Sequence, residues 1–121
     1  MTWANFTHDE FACKCGCGRN EMRPEVVDVA QELRDLVGFA LPVSSGYRCD
    51  NHPVERRKSR PGMHALGLAV DFAVSHQQAR ILLEAALQHE KVTGIGVNQK
   101  GDGRFVHIDI GPDRKNLIWT Y

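Results

Sequence analysis

Two short apolar runs constrain this chain most: LAVDFAV at 68–74 and FVHIDI at 105–110. Each has the alternation and β-branched content of a strand, yet each carries ionisable side chains in its middle. Successive side chains on a strand point to opposite faces. In the first run Val70, Phe72 and Val74 share one face. Asp71 shares the other with Ala69 and Ala73, small residues that leave room beside it. In the second run Val106, Ile108 and Ile110 form the apolar face, and Phe105, His107 and Asp109 the opposite one. Strands of this kind bury the Val and Ile face in a core and turn His107 and Asp109 toward a cleft. His64 lies just ahead of the first run, on a turn near Pro61 and Gly62. Unpaired buried polar groups are costly, so a His and an Asp in apolar surroundings need a hydrogen bond, an ion pair or a metal ion.

The rest of the chain predicts an α+β fold: two main helices against a small, mainly antiparallel sheet. RPEVVDVAQELRDLVG has Pro24 in its first turn, Val26, Ala30, Leu33 and Val37 at helical spacing, and Gly38 to end it. A short strand follows in ALPVSSGY. Residues 48–63 are polar, charged and broken by two prolines, a long loop of the kind that often carries function. SHQQARILLEAALQHE predicts the second helix, with Ser75 and Gln78 at capping-box spacing. VTGIGVNQ and RFVHIDIG are joined by the turn residues KGDG as a hairpin, and LIWTY adds an edge strand. Trp119 and Tyr121 are expected to pack that strand, with a cleft wall as the alternative. His52, in the loop, is expected to be solvated.

With 121 residues and no repeats, a single domain over 1–121 is expected. Fifteen basic and fifteen acidic residues cancel, so no basic stripe suggests nucleic acid. No apolar run is long enough for membrane insertion. The N-terminal MTWANFTHDEF lacks the basic-then-apolar layout of a secretory signal, which makes the cytosol of the producing cell the expected location. A monomer is expected. Cys13, Cys15, Cys17 and Cys49 admit three readings: reduced thiols, a disulfide to Cys49, or a structural metal site. C-x-C-x-C is not the C-x-x-C of common zinc knuckles, and three such thiols need a turn to reach one ion. Gly16 and Gly18 are placed to supply it.

His64, Asp71 and His107 are able to converge where the two strands lie side by side. Two histidines and one carboxylate leave a tetrahedral zinc with an open position, the catalytic rather than the structural arrangement. On spacing alone a second reading stands beside this one: His107 hydrogen-bonded to Asp109, and Asp71 capping a turn.

Three ordered motifs, VSSGYRC, HALGLAVDF and RFVHIDIG, resemble the zinc D-Ala-D-Ala peptidase superfamily. Its members include bacterial zinc carboxypeptidases and dipeptidases and phage L-alanyl-D-glutamate endopeptidases, and the Hedgehog signalling domain shares the fold. The family pattern is S-G-Y-R, then S-x-H-x-x-G-x-A-x-D, then a strand histidine. It stands here as Ser45-Gly46-Tyr47-Arg48, then His64, Gly67, Ala69 and Asp71, then His107. FACKCGCG and the helix after it resemble the small phage and prophage branch.

The resemblance implies zinc held by His64, Asp71 and His107, with Arg48 as a cation at the substrate. It implies a peptidase acting on peptidoglycan stem peptides or cross-links in a lytic setting. The alternative is a catalytically silent zinc-containing binding or tail-assembly module of the same fold. Two positions depart from the pattern. Where relatives carry an acidic general base, three residues before the last histidine, this chain has Arg104. Asp109 is the substitute base expected here, or else the carboxylate that orients His107. Asp102 is a weaker candidate. Gly62 replaces the family serine, and Ser59 is nearby but displaced.

Overall fold

The computed structural model of the chain describes residues 2–55, 62–112 and 115–121. A short 3-10 turn (His8–Phe11) precedes α1 (Pro24–Val37), followed by β1 (Val43–Ser45), β2 (Ala69–Phe72), α2 (His76–Gln88), β3 (Gly94–Asn98), β4 (Phe105–Asp109) and β5 (Leu117–Thr120). The architecture is α+β, as predicted, with two helices and one five-stranded sheet in the order β1-β2-β4-β3-β5. Every pairing is antiparallel except that of β5, which runs parallel to β3 at the edge of the sheet.

Proline at the start of α1 sacrifices no hydrogen bond, because the first helical N–H groups lack intrahelical acceptors anyway. Val26, Val27, Ala30 and Leu33 are buried along this helix, and Gly38 closes it. α2 buries Ala79, Leu82 and Ala86. The capping box expected at its start does not form. Ser75 is the N-cap, but its hydroxyl makes no capping bond. The chain instead enters the helix through His76 at a φ of 54°, outside regular helical geometry.

Val26, Val27, Leu33 and Leu82 pack in one core with Val70, Phe72, Val106 and Ile108, all at most 2 % exposed. Burying each such side chain is worth about 1.5–3 kcal/mol, so this layer fixes which face of the sheet points inward. It also fixes register, because a slip of one residue would exchange the two faces. The apolar faces read from the sequence are therefore the core faces.

The opposite face is organised in rows. Directly paired residues on neighbouring strands share a face. Ser45, Asp71, His107, Gly96 and Trp119 are successive partners across all five strands. The adjacent row runs Ala69, Asp109, Gly94 and Leu117. His64 reaches this face from the turn before β2. Gly67 makes that turn possible. Its φ is +72°, and a Cβ there would run into the backbone carbonyl of Glu21. Ser59 and Pro61, singled out above, lie outside the described residues.

Candidate metal centre

His64, Asp71 and His107 meet on the face away from the core, each about 5 % exposed. Asp71 and His107 are cross-strand partners on β2 and β4. His64 Nε2 is 3.2 Å from Asp71 Oδ1 and 3.2 Å from His107 Nδ1. His107 Nδ1 is 2.9 Å from the same Asp71 oxygen.

The outer sides of the two rings decide what those three atoms can do. His64 Nδ1 lies 2.7 Å from the Gly46 carbonyl oxygen, which can only accept, so the imidazole proton sits on Nδ1. His107 Nε2 lies 2.8 Å from Asp109 Oδ2, which places the second ring's proton on Nε2. With both rings neutral, His64 Nε2, His107 Nδ1 and Asp71 Oδ1 all present lone pairs to one another. Three mutually facing acceptors with no proton between them are not a stable hydrogen-bonded cluster. A bound cation meets that need, and so does an extra proton on one of the rings.

Separations of 2.9–3.2 Å fit that demand. Ligands bonded at about 2.0–2.1 Å around a tetrahedral zinc stand about 3.3 Å apart. Two imidazole nitrogens and one carboxylate oxygen suit zinc chemically, and the three donor atoms form a possible metal site. Without a metal, protons on the rings take that role. Burial alone would raise the Asp71 pKa, but hydrogen bonds from His107 and His64 prevail and hold it well below the ordinary carboxylate range. Burial alone would lower the His107 pKa. Its contacts with Asp109 and Asp71 outweigh burial and raise it.

Arg48 borders this centre with its side chain mostly buried. Nη2 is 3.5 Å from Asp71 Oδ2, the oxygen not shared with the histidines. Nε donates to Ser45 Oγ at 3.1 Å, and Nη1 is 3.8 Å from Glu55 Oε2. Glu55 is itself buried and accepts from the Gly62 amide at 3.2 Å. Its role was not legible beforehand, because it lies in an irregular loop with no periodicity to reveal burial.

Asp109 is fully buried on the far side of the His107 ring from the three facing atoms. Gly94 makes room for it: a Cβ at that position would overlap the Asp109 carboxylate. Gly96, beside His107, is open for a different reason. A Cβ there would stand 2.6 Å from Trp119 Nε1 and 2.7 Å from the Tyr121 hydroxyl. Trp119 then lies with its ring centroid 5.1 Å from that of His107, and Tyr121 packs edge-on against Phe105. The last strand thus walls the site as well as closing the sheet edge. Asp102 and Arg104 sit elsewhere, at the β3–β4 hairpin. Asp102 is exposed, and Arg104 Nε donates to the Gly101 carbonyl at 2.9 Å.

The Peptidase M15 family model matches residues 4–109, a span that contains every residue of this centre except the aromatic wall. The chain belongs to that family. Curated proteins yield no match to the chain. Membership in Peptidase M15 and the buried His-Asp-His cluster point to the same class, a metallopeptidase acting on a peptide. Among the described residues no helix is long and apolar enough to cross a membrane.

Proposed function

We propose that the chain is a zinc metallopeptidase that hydrolyses peptide bonds in peptidoglycan stem peptides or cross-links, in a phage or prophage lytic setting. The observation that carries the reading is the meeting of three lone pairs at His64, Asp71 and His107 in a Peptidase M15 chain. These three side chains would hold the metal. Zinc held there supplies Lewis acidity, which polarises a substrate carbonyl and makes water a competent nucleophile at neutral pH.

The remaining tasks fall to the chain's own groups. Arg48 presents a planar cation beside Asp71, held by Ser45 and Glu55. It is placed to stabilise negative charge developing on the carbonyl oxygen, or to dock a substrate carboxylate through two donors. Asp109 fixes the tautomer and the angle of the His107 ring. That orienting role is supported over the general-base role by its burial and by its bond to the ring nitrogen facing away from the cluster. Trp119 stands against the His107 ring, with Tyr121 beside it over Gly96.

Arg104 at the usual acid position favours one competing reading, a silent module of the same fold. A zymogram on purified murein separates the two. The expected result is a cleared band that chelator abolishes and added zinc restores, with new amino termini in the soluble fraction. Zinc-loaded protein that releases no peptide from murein would leave the silent module as the answer.

A further inference from the structure

A second group of metal-ligating side chains lies apart from this centre. Cys13, Cys15, Cys17 and Cys49 bring their four sulfur atoms within 4.8 Å of one another. We propose that these four cysteines form a structural zinc site that staples the N-terminal segment to the residue after Arg48.

Local geometry first removes the obstacle that the sequence posed. In CKCGCG the three thiols need a turn to reach one ion. Gly16 and Gly18 supply it with φ values of +98° and +74°, in the region where a side chain is strained. The Cys13 amide donates to the Arg19 carbonyl at 2.9 Å and closes the loop. Cys13 Sγ and Cys15 Sγ are then 3.5 Å apart, and Cys15 Sγ and Cys49 Sγ 3.4 Å. Four bonds of about 2.3 Å around a tetrahedral zinc set a sulfur–sulfur spacing near 3.8 Å. A disulfide needs about 2.05 Å and would engage only two of the four. All four cysteines are free here.

A second observation is independent of the spacing. Two backbone amides point at sulfur. Cys49 N–H donates to Cys13 Sγ at 3.3 Å, and Arg19 N–H donates to Cys17 Sγ at 3.3 Å. Sulfur is a weak acceptor as a thiol and a much better one as a thiolate, so these amides suit a site whose ligands have lost their protons. Four protein ligands also leave no open position, which is the structural form of a zinc site.

The placement indicates what the metal would secure. Phe11 O accepts from the Tyr47 amide at 2.8 Å, and Gly46 lies so close to Phe11 that a Cβ would meet its carbonyl at 2.5 Å. The segment from Gly46 to Cys49 therefore rests on the N-terminal strap. It carries both the carbonyl that orients His64 and the guanidinium of Arg48.

Metal analysis of the full chain, purified under reducing conditions, tests this without relying on the peptidase reading. X-ray absorption at the zinc edge of the wild-type protein should show sulfur neighbours at about 2.3 Å. Zinc content should fall by one per chain in a Cys15→Ser/Cys17→Ser variant, whose two sites are exposed. It should keep its sulfur-bound zinc in His64→Ala/His107→Ala protein, which separates this site from the histidine centre. Wild-type zinc with no sulfur neighbours would overturn the proposal. So would fewer than four titratable thiols after denaturation with chelator, or iron in place of zinc. If the double cysteine variant does not fold, the wild-type spectrum and thiol count decide alone.

Discussion

Asp71 and His107 are delivered by neighbouring strands and His64 by the turn that leads into β2, whereas Cys13, Cys15 and Cys17 come from one six-residue stretch with no regular secondary structure and meet Cys49 from a second segment without it. Each histidine is held from behind, by Gly46 O and by Asp109, and the cluster presents three ligands, one short of a tetrahedral set. The loops present four ligands, two of them backed only by backbone amides. A rigid frame with an incomplete ligand set suits chemistry, because a substrate can complete it. An irregular frame with a complete set suits fastening, because the ion itself ties its segments together.

Removing a ligand should break this contrast most visibly. His64→Ala or His107→Ala should cost one zinc per chain and about a thousandfold or more in murein hydrolysis, since Lewis acidity of this kind is worth several kcal/mol. Full activity in either variant at limiting zinc would remove the centre from the reaction.

Next in size is Arg48. An ammonium cannot copy the planar fork, so Arg48→Lys should lower turnover about a hundredfold with the metal content unchanged. Turnover equal to wild type would make the guanidinium peripheral. Asp109→Asn sharpens the comparison further. It should weaken zinc binding by about ten- to a hundredfold, and excess zinc should restore the rate. A rate that stays low at saturating zinc would instead assign Asp109 to proton transfer. Gly94→Ala is the mildest probe. Its new methyl group would press on the Asp109 carboxylate and should cost about 1–3 kcal/mol in denaturant unfolding. An unchanged midpoint would show that Asp109 has room to shift.

How far the sequence could be read follows from the range of the signals. Asp71 and His107 were legible because strand alternation is local: two residues on one face differ by an even number. The apolar faces, both helices, the hairpin and the edge strand were legible for the same reason. The partners behind the site were not. Gly46 orients His64 from eighteen residues away, and Glu55 braces Arg48 from an irregular loop. Gly94 and Gly96 make space for groups on β4 and β5, which only the register discloses. The parallel course of β5 is likewise a property of the assembled sheet. Arg104 could be seen as a departure, but only the fold shows it at a hairpin, bonded to its own turn.

β5 pairs with a single neighbour, β3, and contributes none of the three facing donor atoms, yet its Trp119 stands against the His107 ring. The molecule thus separates two kinds of evolutionary freedom. Its inner strands are interlocked on both sides, so their residues are tied to the reaction. Of the two edge strands, β1 carries the Ser45 that holds Arg48, whereas β5 carries no ligand, so the aromatic wall can be reshaped while the donor atoms stay in place. Selectivity among peptide substrates could diverge there one residue at a time.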